Sequence, residues 1–344
     1  MARTFKTSRN TVKKALRRYK TKGEEGLGDL KRRPKNFYRK TPDELEKKVV
    51  SLRKRTNYGS RRLSILLERE ESIYLAPSTI GSILRRRGLN RPKRKRSFVM
   101  KRSNFYDWES IYPLQQFQID LKDILDLKTL SFPVYEHLLS SDLPRYQWTA
   151  IDVKTRLRFI AYSYEKTFAN GLAFMILLAL WLRAFGIDHP LFFQTDWGEE
   201  FGGKSERKYR MIRKTFFTPL GVELIRIPKG KKEYNGYVER SHRTDDEEFY
   251  NPKGLELGDE ESFLVKSFQW LYYYNRKRAH LGKGMKKRTP FVVLKTLYPW
   301  ISDKILLFQP FILDNLSTND TWKGGQYVSG HYRVVRTFPK NFRG

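Results

Sequence analysis

Three carboxylates of the chain occupy positions suited to binding metal ions. Asp120 and Asp196 each end a short apolar run of strand-forming residues, where a buried strand reaches the surface and can hold a carboxylate in a cleft. Glu239 follows the turn residues Asn235 and Gly236 at the start of a predicted helix. Carboxylate oxygens are the ligands that Mg²⁺ prefers, and two such ions about 4 Å apart assist an in-line phosphoryl displacement. The set therefore predicts metal-dependent phosphoryl transfer.

Each carboxylate taken alone has an ordinary explanation, because an aspartate at a strand end is usually a turn former or a helix cap. The joint occurrence of the three in a strongly basic chain favours the catalytic interpretation. Two rival carboxylates are assigned to structural positions. Strand alternation places Asp123 on the face opposite Asp120, and Asp152 is expected to begin a β-turn.

Four further residues are candidates for supporting roles at this site: Asn235, Arg240, His242 and His280. His242 lies three residues after Glu239, so the two share a helix face. Either histidine is a candidate to bond a scissile phosphate or to position a nucleophilic water. The competing interpretation is a histidine whose ring bonds are satisfied within the core.

The segments around these residues resemble the integrase-core transposases of bacterial insertion sequences, relatives of retroviral integrases. That family has an Asp in its first strand, an Asp in its fourth and a Glu in an Asn-Gly-x-x-Glu-Arg helix, matched here by Asp120, Asp196 and Glu239. The run Tyr274–His280, followed by Thr289-Pro290, is similar to the signature that closes such domains. One departure is the 42 residues between Asp196 and Glu239, more than is usual in the family.

The resemblance implies an RNase H-like catalytic fold and a DDE-type transposase. Such an enzyme binds the ends of its mobile element, cleaves one strand at each end, and joins the freed 3′-OH to target DNA. It implies two Mg²⁺ or Mn²⁺ ions per active site, held by Asp120, Asp196 and Glu239. It also implies a homo-oligomer, a dimer or tetramer in the DNA complex, in the nucleoid of a bacterial or archaeal cytoplasm. Two alternatives stay open: an RNase H-like nuclease without strand transfer, and a DNA-binding regulator with a degenerate core.

The composition indicates a polyanionic partner. The chain has 344 residues and a formal charge of +32, and residues 1–103 contain 33 basic and 9 acidic side chains. The N-terminal third is therefore expected to be the main DNA-binding part. The absence of cysteine excludes disulfides, thiol nucleophiles and cysteine-based zinc sites. The longest apolar run, 172–182, is too short to cross a bilayer, which needs about 20 helical residues, so no membrane partner is expected.

Two helical DNA-binding segments are predicted before the catalytic domain. Residues 1–36 contain a Ser-capped basic helix and resemble part of a helix-turn-helix unit, whose remaining helices would need residues upstream. Residues 41–89 are predicted to form a second helix-turn-helix domain of three helices, near 42–55, 60–69 and 78–87. The candidate DNA-binding residues of the two segments are Arg9, Asn10, Lys13, Lys14, Thr79, Ser82, Arg85 and Arg86.

The rest of the chain divides into a linker, a core and a tail. Residues 90–110 are a basic linker in which Arg94, Lys95 and Arg96 are expected to lie along phosphates. Residues 111–298 are predicted to be an α/β core with a mixed five-stranded sheet. Its strands are expected near 116–125, 146–153, 158–164, 191–196 and 222–227, and its long helices near 169–185, 208–217, 236–249 and 260–276. Residues 299–344 are expected to be a short β-rich appendage.

Overall fold

The computed structural model describes residues 3–4, 6–28, 41–90, 107 and 109–317. The predicted linker contacts of Arg94, Lys95 and Arg96 lie outside the described residues, as does the tail after residue 317. The chain divides into two compact units, residues 1–48 and residues 49–344.

A five-stranded sheet forms the centre of the larger unit. Its strands are β1 (Gln116–Asp123), β2 (Tyr146–Asp152), β3 (Arg158–Ser163), β4 (Leu191–Thr195) and β5 (Val222–Arg226). Their order is β3-β2-β1-β4-β5. The first three strands pair antiparallel, whereas β4 pairs parallel with both β1 and β5. The predicted mixed five-stranded sheet is confirmed, with each strand within two residues of its expected limits.

The helices of the larger unit cover both faces of the sheet. In chain order, the helices of the described residues are α1 (Arg9–Lys22), α2 (Asp43–Thr56), α3 (Ser60–Glu71), α4 (Pro77–Arg86), α5 (Phe132–Ser140), α6 (Phe168–Ala184), α7 (Glu206–Ile212), α8 (Gly236–Asp245), α9 (Asn251–Lys253), α10 (Glu260–Arg276), α11 (Pro290–Leu297) and α12 (Asp314–Ser317). The predicted helices are all present. Helices α5 and α11 were not among them, although Pro133 and Pro290 each stand in a first helical turn, a usual start signal.

Alternation along the strands separates two apolar cores. Phe117 and Ile119 of β1 face a core shared with α6, α7 and α11. On the opposite face, Ile160 and Tyr162 of β3 pack with α5 and α10. Successive side chains of a strand point to opposite faces, and β3 contributes to both cores in this way, through Phe159 and Ala161 on one face and Ile160 and Tyr162 on the other.

The second face of β1 is polar, and α8 lies across it. Gln118 accepts hydrogen bonds from the backbone N–H groups of the first turn of α8. Asp120 approaches the middle of the helix, and Lys122 forms an ion pair of 2.8 Å with Asp246 just beyond the end of α8. Gln118, Asp120 and Lys122, which alternate along β1, thus contact the start of α8, its middle and the residue just after its end.

The closing helix α10 is fastened to the edge strand through Asn275. Its Nδ2 donates to the carbonyl of Arg158 at 2.8 Å, and its Oδ1 accepts from the backbone N–H of the same residue at 3.0 Å. The guanidinium of Arg158 lies 3.9 Å from the ring centroid of Tyr274 and bonds Asp245 at 2.7 Å. The Tyr-Asn pair of the closing signature therefore has a structural role in joining α10 to the sheet.

Residues 49–90, called the helical segment below, pack around an apolar core of their own. They also dock on the sheet-containing part of the same unit. Their core includes Leu63, Ile80 and Ile83, with Tyr273 of α10 packed against it. The hydroxyls of Tyr58 and Tyr273 lie 2.9 Å apart.

Charged groups complete this docking surface. Arg62 of α3 pairs with Glu248 at 2.6 Å, and Arg278 bonds both oxygens of the same carboxylate, at 2.6 and 2.8 Å. Glu248 lies in the π-helical turn Asp246–Tyr250 that continues α8. Buried hydrogen bonds and ion pairs therefore connect the helical segment to the helix that carries Glu239.

The smaller unit contains α1, whose N-terminus is capped by the hydroxyl of Ser8. The expected helix is confirmed, but its apolar face has no buried residue within the described chain, and Leu16 and Tyr19 are exposed. The described part of the expected β-rich tail, residues 299–317, contains a 3-10 helix (Asp303–Leu307), α12 and one bridge between Ile312 and Tyr162.

Candidate active site

Asp120 and Asp196 lie at matching positions of two neighbouring strands. The parallel register pairs Gln118 of β1 with Gln194 of β4. Asp120 stands two residues further along β1, and Asp196 stands two residues after Gln194, directly beyond the end of β4. Burial, followed by the negative charge of Asp196, raises the pKa of the Asp120 carboxyl to about 8. Two carboxylates in one partly buried place repel each other when both are ionised. The pair is therefore an electrostatically costly arrangement that a cation would relieve.

The two rival carboxylates, Asp123 and Asp152, occupy the structural positions that the sequence predicts. Asp123 points away from Asp120 and forms an ion pair of 2.7 Å with Arg145. Asp152 accepts hydrogen bonds from the backbone N–H and the hydroxyl of Thr155, which closes the expected turn. Both side chains have structural partners and belong to no shared site with Asp120.

Glu239 is exposed on the first turn of α8. Its charge contributes to the raised pKa of Asp120, after burial and Asp196, and partial burial raises the pKa of Glu239 itself. The position of this turn is set by Gln118, whose Oε1 accepts from the N–H groups of Tyr237 and Val238 at 2.8 and 3.1 Å. A side chain of β1 thus acts as the helix cap that a polar N-cap residue usually supplies.

Asn235 occupies the N-cap position without a side-chain capping bond. Its Oδ1 instead accepts a hydrogen bond of 3.0 Å from the Nε2 of Gln194. The two glutamines at the paired positions of β1 and β4 therefore hold the turn before α8, because both donate to the carbonyl of Tyr234 and Gln194 also bonds Asn235.

His242 lies beside Asp120 in the interior. Its Nδ1 is 3.7 Å from Oδ2 of Asp120. Burial lowers the pKa of the imidazole well below its usual value, and the positive charges of Lys122 and Arg158 lower it further. The ring is therefore neutral at physiological pH, and it lies beside Asp120 as a polar group without charge.

His280 and Arg240 occupy different surroundings. The His280 ring packs edge-on against Tyr274 with centroids 4.7 Å apart, and burial lowers its pKa well below the usual value. This matches a histidine satisfied within the core. Arg240 is exposed next to Glu239 and lines a cleft of about 1000 Å³.

Two of the three predicted metal ligands, Asp120 and Asp196, form a donor set that suits a divalent cation. Asp120 and Asp196 are adjacent hard oxygen donors with an unfavourable mutual charge, which is the chemistry that Mg²⁺ or Mn²⁺ neutralises. Among the residues that the structure describes, no three histidine or carboxylate side chains converge closely enough to hold one metal ion. The third carboxylate, Glu239, is close enough for its charge to raise the pKa of Asp120, and it lines the cleft of about 1000 Å³.

Glu200 and Lys166 lie near the two aspartates and were not identified from the sequence. The buried carboxylate of Glu200 forms an ion pair of 3.0 Å with Lys166 through Oε1, while its Oε2 makes no hydrogen bond to any described residue. This carboxylate packs on Gly198, where an added Cβ would lie 2.4 Å from Oε2. The N–H of Gly198 donates to Asp196 at 2.8 Å. The only sequence signal was the position of Glu200 one short turn after Asp196.

All but one of the candidate DNA-binding residues of the helices are exposed. Ile80, Ile83 and Leu84 of α4 are buried, as predicted for the core-facing side. On the same helix Thr79 is partly buried, whereas the remaining candidates are exposed: Ser82, Arg85 and Arg86 on α4, and Arg9, Asn10, Lys13 and Lys14 on α1.

The raised pKa of Asp120 predicts a pH dependence of stability. Because the native carboxyl keeps a proton up to about pH 8 that the unfolded chain releases near its reference value of about 3.9, the free energy of unfolding should fall as pH rises between these limits. We expect urea unfolding in EDTA to show this fall, and the Asp120→Asn variant to show a smaller one. An Asp123→Asn control should follow the wild type. Equal slopes for wild type and Asp120→Asn would contradict the assignment.

Comparisons with known proteins give a match to one domain model and a number of distant structural likenesses. A family model described as a homeodomain-like domain matches residues 11–84, so the N-terminal segment contains a helix-turn-helix module. No curated protein sequence matches the chain. The described residues contain no helix long and apolar enough to span a membrane.

Two of the structural likenesses are to viral integrase structures. The HTLV-2 integrase catalytic core domain in complex with magnesium has 14% identity and a TM-score of 0.34, over 53% of this chain and 96% of that chain. A chain of the simian T-cell lymphotropic virus intasome in complex with the PP2A regulatory subunit B56 gamma has 13% identity and a TM-score of 0.35, over 71% of this chain and 73% of that chain.

Proposed function

We propose that the protein is a DDE-type transposase. In this proposal it binds the ends of its mobile element and catalyses strand cleavage followed by transfer of the 3′-OH into target DNA. The observation that carries the proposal is the closeness of two carboxylates, Asp120 and Asp196, at the ends of neighbouring strands, where the charge of one raises the pKa of the other. A helix that presents Glu239 lies beside them. The homeodomain-like match over residues 11–84 supports a DNA substrate.

The proposed roles follow from the positions of the three carboxylates. Asp120 and Asp196 would hold the first Mg²⁺ or Mn²⁺ ion, and Asp120 with Glu239 the second. When bound, such ions neutralise charge on the reacting phosphate and lower the pKa of a coordinated water. Gln118 and Gln194 position the turn that precedes the helix of Glu239. Because the His242 ring is neutral, it places no positive charge beside Asp120 that would compete with a metal ion.

The remaining parts of the proposal concern DNA binding and assembly. Exposed Arg85 and Arg86 on α4 would enter a major groove, while basic side chains elsewhere neutralise phosphates. Two element ends must meet for transposition, which requires a homo-oligomer of at least two chains in the DNA complex. The site of action would be the bacterial or archaeal nucleoid.

A strand-transfer assay tests this function directly. Duplex DNA containing the element end is incubated with a supercoiled target plasmid and Mn²⁺, and we expect joined products whose formation requires a free 3′-OH. Element-end DNA that ends in a dideoxynucleotide is the control, since it lacks the nucleophile. Cleavage without joining would identify a nuclease. No cleavage, together with titration calorimetry that shows no Mn²⁺ binding dependent on Glu239, would favour a DNA-binding regulator.

A further inference from the structure

A basic cleft lies between α3 of the helical segment, the catalytic helix α8 and the segment after α10. Its volume is about 1000 Å³, and Glu239 stands on its wall. The described residues that line it include six basic side chains against two acidic ones, Glu233 and Glu239. The basic residues are Arg62, Arg156, Arg240, Arg243, Arg278 and Lys283.

Several of these cations are held in fixed positions by the protein itself. Arg62 and Arg278 share the buried carboxylate of Glu248. Arg156 is buried, and its left-handed backbone, with a φ of 66°, ends the turn that begins at Asp152. Its guanidinium lies 3.4 Å from the ring centroid of Tyr237. The turn and the tyrosine ring therefore hold this cation in a fixed position at the wall of the cleft.

Aromatic residues also line this cleft. Tyr234, Tyr237 and Tyr274 are among its lining residues. Grooves that bind single-stranded nucleic acid combine a positive charge that follows the backbone with aromatic side chains on which bases stack. The cleft also has open backbone at Gly236 and Gly282, where an added Cβ would meet nothing within 4 Å.

We propose that this cleft binds the phosphodiester backbone of an unpaired DNA strand next to Glu239. The inference rests on the proposed function for its biological substrate, but it concerns equilibrium binding that requires no chemistry. The helical segment is then part of the strand-binding wall through Arg62, in addition to any role in reading duplex DNA.

Insertion of one negative charge tests the cleft without disturbing its packing. The full-length protein is titrated in EDTA with a fluorescent oligothymidylate of about 12 nucleotides, within the usual range of single-strand site sizes. We expect Gly282→Asp to weaken binding about fivefold, the factor given by roughly 1 kcal/mol of unfavourable charge interaction. Gly282→Asn should have a smaller effect. Gly258→Asp is the matched control, because that glycine is exposed, open and outside the cleft.

A second measurement does not depend on the glycine variants folding. Arg240→Gln removes an exposed cation, and we expect the slope of log affinity against log salt to decrease by about 0.7 for the single strand. Equal weakening by Gly282→Asp and Gly258→Asp, an unchanged salt slope for Arg240→Gln, or equal losses on a duplex of the same length would each overturn the proposal. Because no metal is present, a failure here is separate from a failure of strand transfer.

Discussion

Replacing Asp196 by asparagine is expected to reduce strand transfer by about a thousandfold. The substitution keeps the size of the side chain but removes the charge that, in the proposed site, holds a divalent ion with Asp120. Metal stabilisation of the transition state is worth several kcal/mol, and about 1.4 kcal/mol corresponds to a factor of ten in rate. The measurement is the single-turnover rate with a pre-cleaved element end and Mn²⁺.

The matched control for this prediction is Asp123→Asn. It removes the same charge from the exposed pair with Arg145, and we expect a rate within about threefold of the wild type, since such surface pairs contribute little. Robust strand transfer by Asp196→Asn would refute the catalytic assignment. Folding is checked independently, because Asp196→Asn should bind duplex DNA as well as the wild type does.

The second large effect is expected at Glu248, a residue that contacts no predicted catalytic group. Its carboxylate is the shared partner of Arg62 and Arg278, and the Glu248 and Arg278 side chains are each only 2% exposed. Glu248→Gln would leave two guanidinium groups with their main counter-charge removed. Loss of one partner from a buried ion pair costs about 3–5 kcal/mol, a large share of the about 5–15 kcal/mol that stabilises a typical domain.

Urea unfolding at pH 7 measures this cost. Glu247→Gln is the neighbouring control, because Glu247 is more exposed and its pair with Arg243 is a helix surface pair of 3.4 Å. We expect that control to cost less than about 1 kcal/mol. A cost below about 1 kcal/mol for Glu248→Gln would show that the docking of the helical segment does not depend on this carboxylate.

This docking changes what a truncation experiment can show. Deleting the helical segment removes Tyr58 and Arg62, which uncovers Tyr273 and leaves Glu248 paired with Arg278 alone. A catalytic fragment made in this way loses part of its own stability and one wall of its cleft. Point variants on the exposed face of α4, such as Arg85→Gln, are therefore the sharper test of DNA sequence preference.

The sequence by itself determined the elements and the candidate carboxylates. The strands were predictable because continuous apolar runs end at turn residues, and β-structure follows from that local pattern. Asp123 and Asp152 were correctly set aside, because strand alternation and turn chemistry are also local. Helix α5 was not predicted because it has only nine residues, too few to establish a clear helical period.

Only the tertiary structure decided which distant side chains meet. Gln118 caps α8 from a strand more than a hundred residues earlier, Glu200 and Lys166 come together near Asp196, and Glu248 joins the helical segment to α8. Each of these contacts depends on strand order and helix packing, which a single sequence does not encode in any local spacing. The buried surroundings that raise the pKa of Asp120 and lower that of His242 arise in the same way, because desolvation is a property of the packed interior.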